Sequence, residues 1–317
     1  MVFALLFLLA ASGTAAQQPS RLDLPPNGTI RLDVNLVLVE ATVKNKAGGV
    51  IDGLKPEDFE IRENGVPQTI SHFSRDQLPL AVAVVVDLSS SITPFLRPLR
   101  YATQSALKAL KPEDEVALFT FSDRVDRRVD LTHNRQDIAE EIEMFSTGGA
   151  TNINRAIYEA ARYLRVEAPA ARRVIVLVSD NVPTAESGET SKMVLDQVLE
   201  ADASVYSLKI PGDNPLAVRM MQKTSRGLVN VGKLAEETGG EVFDVEKEGS
   251  LFLAFQALIE RLKTRYTLGY YSTDKKEDGS LRKLEISLAP RFGKKGHDYR
   301  LIAKSGYYAP RGETPDR

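Results

Sequence analysis

The sequence contains no cysteine. That absence excludes disulfides, thiolate zinc sites, iron–sulfur clusters and cysteine nucleophiles together, so the fold must be held by its core. Histidine is scarce: His72, His133 and His297 are the only three, far apart, and no pair has the helical spacing of metal ligands, which argues against a zinc enzyme. Charge of either sign is not in excess. Lys plus Arg number 41 and Asp plus Glu 43, a formal charge of −2, so there is no global electrostatic reason to bind nucleic acid or an anionic membrane. An apolar run of the about 20 residues that a membrane helix needs is also missing. What remains is ordinary globular composition, 43% apolar and 26% charged over 317 residues, enough for one large domain and a small one, or for two middling ones.

The longest apolar stretch is at the start. Val2 to Ala11 read VFALLFLLAA, followed by SGTAAQQPS with small residues Thr14 and Ala16 before Gln17. This is the pattern of a secretory signal with a cut before Gln17, without the usual basic residues ahead of it. The reading is signal 1–16, linker 17–27, and export to the periplasm, the cell surface or the exterior. With no cysteine at the cut, a lipoprotein anchor is excluded, and no integral span remains after processing.

From Ile30 the period is two. Ile30, Leu32, Val34, Leu36 and Leu38 alternate with Arg31, Asp33 and Asn35, as in a half-buried strand. Phe59 to Ile61 and Val66 to Ile70 flank Asn64-Gly65, a strong hairpin signal because both turn positions tolerate positive φ. The segment 28–75 reads as a small antiparallel β unit. At Leu80 the pattern changes to LAVAVVV ending in Asp87, and a second such run, VIVLV at Val174 to Val178, ends in Ser179-Asp180. Continuous apolar runs suit strands covered on both faces. Between and after them come helical stretches: one bearing Phe95, Leu99, Ala102 and Ala106, then Asp137 to Met144, Ile153 to Leu164, Lys192 to Leu199, Leu228 to Glu237 and Leu251 to Leu262. Thr93-Pro94 is the expected cap and first position of the first helix, with Pro98 a source of a kink or a later start. Alternating strands and helices over 79–264 predict an α/β fold, an open doubly wound, mostly parallel sheet. From 265 to 309 the chain returns to alternation, in Tyr266, Leu268 and Tyr270 and in Leu284, Ile286 and Leu288. Neither flanking β segment can bury its apolar face alone, so 28–75 and 265–309 are expected to pair into one antiparallel domain with the α/β part inserted. Residues 310–317 are a polar tail.

The chemistry converges on one address. In open α/β sheets ligands bind outside the carboxyl ends of the strands. Asp87-Leu88-Ser89-Ser90-Ser91 follows the first buried strand, Gly148-Gly149-Ala150-Thr151-Asn152 is a loop leading into a helix, and Asp180 ends the second buried strand. Two carboxylates and three hydroxyls are hard oxygen donors that suit Mg²⁺, Mn²⁺ or Ca²⁺. This set resembles the von Willebrand factor type A family, whose metal-ion-dependent adhesion site has the pattern Asp-x-Ser-x-Ser, then Thr, then Asp. All five positions are filled in order, over a stretch of roughly Leu80 to Leu262. The whole chain also resembles exported acidobacterial proteins with this domain, in the segments VNLVLVEATV and GLKPEDFEIRENG before it and RYTLGYYST and GYYAP after it. Asn181 departs from the pattern, since many relatives carry Gly there. The resemblance implies that Ser89, Ser91 and Thr151 bind the ion through hydroxyls, and that Asp87 and Asp180 supply charge, partly through water. The ion, Mg²⁺ first and Mn²⁺ or Ca²⁺ next, keeps a position for a carboxylate of a partner protein.

Structural readings compete at single positions. A serine after a strand is most often a helix N-cap, which for Ser89 alone is the favoured reading; for all five residues together the metal site is. Asn152 reads as a helix cap, His133 as a surface residue, and Tyr270, Tyr271, Tyr307 and Tyr308 as core and sheet-face aromatics. Enzyme signatures are missing: there is no GxxxxGK[ST] loop, no G-x-S-x-G elbow and no H-E-x-x-H. A phosphate-ester hydrolase with Asp87 as nucleophile wants an acid two residues on, where Ser89 stands. The expected function is therefore a non-enzymatic, metal-dependent, adhesion-type protein-binding module. The alternatives are an accessory or scaffold component of a cell-envelope assembly with a structural metal, and, third, the hydrolase.

Overall fold

The computed structural model describes residues 36–75, 78–185, 187–212, 227–292 and 299–312. The apolar run at 2–11, the cut before Gln17, the linker and the alternation at Ile30 to Val34 lie outside the described residues, as does most of the polar tail. The first described strands are β1 (Leu36–Asn45), β2 (Phe59–Glu63), β3 (Val66–Gln68) and β4 (Ile70–Arg75). Asn64 and Gly65 take φ of 48° and 81° between β2 and β3, and Glu63 pairs with Val66 across them, the two-residue turn that the dipeptide favours.

Strand β5 (Leu80–Asp87) is buried at every position. It is hydrogen-bonded in parallel to β6 (Glu115–Phe121) on one side and to β8 (Arg172–Ser179) on the other. Beyond them lie β7 (Val125–Thr132), antiparallel, and the parallel strands β9 (Ala203–Lys209) and β10 (Val242–Asp244), giving the order β10-β9-β8-β5-β6-β7. The period-two geometry of β5 sorts its side chains into two layers. Val82, Val84 and Val86 pack under α1 (Leu96–Ala109), α2 (Arg135–Glu143) and α6 (Leu251–Lys263). Ala81, Ala83 and Val85 pack under α3 (Ile153–Glu167), α4 (Ser191–Glu200) and α5 (Val231–Glu237). This is the doubly wound arrangement.

Helices α1 and α5 start later than the sequence reading places them. Thr93 and Pro94 do not open α1; they lie in a 3₁₀ segment, Ser90–Phe95, that precedes it. Pro98 then falls in the first turn of α1, where no intrahelical partner awaits its missing N–H, so the helix proceeds from Leu96. Helix α5 starts at Val231 rather than Leu228, because Asn230 caps it through Lys233 N–H.

After α6 the chain forms β11 (Tyr266–Tyr271), β12 (Leu281–Leu288), β13 (Tyr299–Ala303) and β14 (Gly306–Tyr308). Strand β11 inserts between β1 and β4, antiparallel to both, in a sheet of order β13-β1-β11-β4, while β12 joins β2 in a sheet of order β14-β12-β2-β3. The two sheets share one apolar core that includes Val39, Ala41, Phe59, Ile61, Leu268 and Leu284. Tyr270 is fully buried, and its hydroxyl donates to Glu63 at 2.7 Å, as does that of Tyr307 at 2.9 Å. Two carboxylates fasten these sheets to the α/β layers. Glu40 of β1 meets Arg172 and Arg265, and Glu241 meets Lys44 at 2.5 Å and Arg261 at 2.6 Å.

Candidate functional site

Three loops meet at the carboxyl ends of β5, β6 and β8, beside the place where the strand order reverses. The first is Asp87 to Ser91. Asp87 is wholly buried. Its Oδ1 accepts Ser89 N–H at 2.8 Å and its Oδ2 accepts the Ser179 hydroxyl at 2.7 Å. The second loop, Gly148 to Asn152, is tied to the first by Gly148 N–H donating to Leu88 O at 2.7 Å and by a 2.7 Å contact between the hydroxyls of Thr93 and Thr147. The third loop follows β8. Its Asp180 accepts Val182 N–H at 2.9 Å, and its Thr184 and Ala185 N–H groups both donate to Thr151 O, at 3.0 and 3.2 Å. The structure thus brings the loops of Asp87, Ser89, Ser91, Thr151 and Asp180 to one end of the sheet.

The electrostatics of this end are distinctive. Burial pushes the Asp87 carboxyl up to about 6, and the negative charge of Asp180 pushes it in the same direction, while hydrogen bonds from Ser179 and Ser89 pull it down. The polar neighbours of Asp87 include hydroxyls, one amide and a second carboxylate, so anionic charge is concentrated where water is excluded. A cation would relieve that cost. The donors are all oxygen, which fits Mg²⁺ and excludes a thiolate-type ion. Among the described residues no group of three or more His, Asp or Glu side chains could hold a metal, so any cation here would rest on two carboxylates supplemented by hydroxyls.

The hydroxyls are disposed differently from caps. Ser89 stands at the N-cap of the 3₁₀ segment, yet its side chain makes no capping bond; its Oγ lies 3.0 Å from Ser91 Oγ instead. Thr151 is buried and held through its backbone, with its N–H donating to Thr184 Oγ1 at 2.8 Å. Asn152 does cap α3, accepting Arg155 N–H at 3.2 Å. Asn181 takes φ of 62°, a left-handed conformation that asparagine tolerates better than most residues. Its Oδ1 accepts the Ser207 hydroxyl at 3.0 Å, so the departure from Gly is accommodated. His133 is largely exposed on the surface, 3.8 Å from Glu115.

Sequence reasoning gave no role to Ser179, Thr184 or Asp123. Ser179 orients Asp87. Asp123, on the turn after β6, accepts Ala150 N–H at 3.0 Å. The available signal was position: Ser122-Asp123 ends a buried strand at the same edge as Asp87 and Asp180.

A family model for the von Willebrand factor type A domain matches residues 82–182, the stretch from the first buried strand to just past Asp180. The match falls on the stretch that carries the resemblance, and the sheet order is that of the expected α/β fold class. No curated protein matches the chain. Similar solved structures include a von Willebrand factor type A protein from Catenulispora acidiphila, 11% identical over 88% of this chain and 74% of that one, TM-score 0.48. Another is an aerotolerance-related membrane protein from Bacteroides fragilis, 18% identical over 57% of this chain and 99% of that one, TM-score 0.44. A third is the von Willebrand domain of a type V pili tip protein from Porphyromonas gingivalis, 12% identical over 59% and 96%, TM-score 0.44. Among the described residues no helix is long and apolar enough to cross a membrane.

Proposed function

We propose that this chain is an exported protein-binding module that captures a carboxylate of a partner through a divalent cation, Mg²⁺ first, held by Asp87, Ser89, Ser91, Thr151 and Asp180. The observation that carries the reading is the buried Asp87 carboxyl beside Asp180, pushed up to about 6 with hydroxyls and an amide for partners. Bound there, the ion supplies a Lewis-acidic position that an Asp or Glu side chain can fill. The chain's own groups do the rest. Ser179 and Ser89 N–H hold both oxygens of Asp87, and so fix the direction in which its remaining lone pairs point. Ser89, Ser91 and Thr151 add neutral donors, so two carboxylates balance the doubly charged ion without quenching it. The role is binding and not turnover: Ser89 occupies the place where a carboxylate nucleophile at Asp87 would want its acid. Export is supported by the apolar run at 2–11 and the small residues before Gln17.

The test is calorimetric titration of the full chain with Mg²⁺, beside Asp87→Ala, followed by capture from an envelope extract in Mg²⁺ or EDTA. The wild type should bind one ion and hold a partner only in Mg²⁺. Asp87→Ala should do neither while keeping its circular dichroism. Equal Mg²⁺ binding by the two proteins would refute the site.

A further inference from the structure

The loop that carries Thr151 has no regular structure of its own, yet its backbone is held at consecutive residues from two sides. On one side, Thr184 Oγ1 accepts Thr151 N–H at 2.8 Å, and Thr184 and Ala185 N–H donate to Thr151 O. On the other, Asp123 Oδ1 accepts Ala150 N–H at 3.0 Å and Ser122 O accepts Asn152 N–H at 3.2 Å. Gly149 completes the second contact. It adopts φ of 93°, and a Cβ there would lie 2.8 Å from Asp123 Oδ2 and 3.1 Å from Ser122 Cβ. The Asp123 carboxylate is therefore pressed against a bare backbone that only glycine leaves open. Asp123 itself is exposed, so the apolar core does not require it. It touches the loop and is not one of the five proposed ligands.

We propose that Asp123 is a positioning residue for the cation site: by accepting Ala150 N–H and packing on Gly149, it sets where the Thr151 hydroxyl is presented. This rests on the reading of Asp87, Ser89, Ser91, Thr151 and Asp180 as a cation site. The alternative role for a carboxylate at this place is electrostatic, adding a third negative charge near the ion. The two roles predict different behaviour for a neutral side chain that still accepts a hydrogen bond. Asp123→Asn keeps an oxygen for Ala150 N–H and removes the charge, whereas Asp123→Ala removes both.

The experiment is Mg²⁺ titration of the full chain by calorimetry for the wild type, Asp123→Ala, Asp123→Asn and Thr151→Ala, with thermal unfolding in EDTA as the folding control. If Asp123 positions Thr151, Asp123→Ala weakens Mg²⁺ binding by about tenfold, the usual order for a residue that orients a ligand. Asp123→Asn should return to within about twofold of wild type, and all four proteins should unfold cooperatively in EDTA. Should Asp123→Ala not fold, Asp123→Ser, which keeps a short acceptor, carries the comparison. Asp123→Ala binding as tightly as wild type would overturn the proposal. So would Asp123→Asn falling as far as Asp123→Ala, because charge would then be the cause. Failure of the wild type itself to bind Mg²⁺ would overturn the underlying site, an outcome distinct from either.

Discussion

Replacing Asp87 by asparagine should stabilise the ion-free protein at neutral pH and do the opposite in acid. Asp87 is wholly buried, and its carboxyl is raised from 3.8 to about 6. Each pKa unit is about 1.4 kcal/mol of preference between protonation states, so ionising Asp87 in the folded chain costs about 3 kcal/mol more than in the unfolded one. Because the folded value lies above the unfolded one, the favourable contribution belongs to the protonated form. It is fully present below about pH 4 and is lost as pH rises through about 6. The amide of Asp87→Asn carries no charge at any pH, so the variant lacks this loss. It bears a cost of about 1 kcal/mol, because its oxygen accepts only one of the two bonds, from Ser89 N–H, while its NH₂ faces Ser179 Oγ and leaves the Ser179 hydroxyl without the carboxylate it donates to. The net expectation in EDTA is a variant about 2 kcal/mol more stable at about pH 7.5 and about 1 kcal/mol less stable at about pH 3. Urea unfolding followed by circular dichroism across that range measures the difference. On the proposed reading only the wild type binds Mg²⁺, so saturating Mg²⁺ should then reverse the order at neutral pH, since an ion at about 100 times its dissociation constant adds about 2.7 kcal/mol to a protein that binds it. A wild-type-minus-variant difference that stays flat with pH would refute the argument.

Glu40→Ala should destabilise the chain by about 3–5 kcal/mol, the usual cost of removing one partner from a buried ion pair. Arg265 and Arg172 both pair with Glu40, with side chains only 1% and 6% exposed, and a urea titration reads the loss. Gly240→Ala should cost about 3 kcal/mol or more, because a Cβ there would stand 1.9 Å from the carbonyl oxygen of Val205; a melting temperature equal to wild type would contradict the packing.

What was legible in the sequence follows from which forces are local. Side-chain alternation and continuous apolar runs are set residue by residue, so β5 at Leu80–Asp87 and β8 at Arg172–Ser179 were readable from LAVAVVV and VIVLV. The Asn64-Gly65 turn was readable for the same reason. The start of α1 was not, because Pro94 can sit in a 3₁₀ turn as easily as at a helix start, and only the packing of Ile92 and Phe95 against the sheet decides between them. The five proposed ligand residues were readable as an ordered pattern at strand ends. Ser179, Thr184 and Asp123 were not given roles, because each acts through hydrogen bonds to a distant segment: Asp87 is 92 residues from Ser179, and Thr151 is 33 from Thr184. Glu40 was invisible for a related reason. It occupies a polar position in an alternating strand, where a solvated carboxylate is the ordinary expectation, and its two arginines lie far along the chain.

The placement of these two charged regions is a consequence of the topology. The chain passes from the flanking sheets to the α/β layers at β4 to β5, and returns at α6 to β11. The first passage enters β5 at Leu80, its amino end. At the return, the Arg172 guanidinium at the start of β8 reaches Leu262 O near the end of α6. Both passages are therefore at the amino ends of the parallel strands, where Glu40, Arg172 and Arg265 meet. Asp87 lies seven residues further along β5, roughly 23 Å at the rise of an extended strand. A doubly wound sheet offers its ligand crevice only at the carboxyl ends. Attachment at the amino ends therefore leaves the loops of Asp87, Thr151 and Asp180 uncovered by the flanking sheets. That separation lets one chain pair unlike charges at the amino ends of its sheet, where Glu40, Arg172 and Arg265 fasten the flanking sheets, and keep Asp87 and Asp180 together at the carboxyl ends, where the proposed cation site lies.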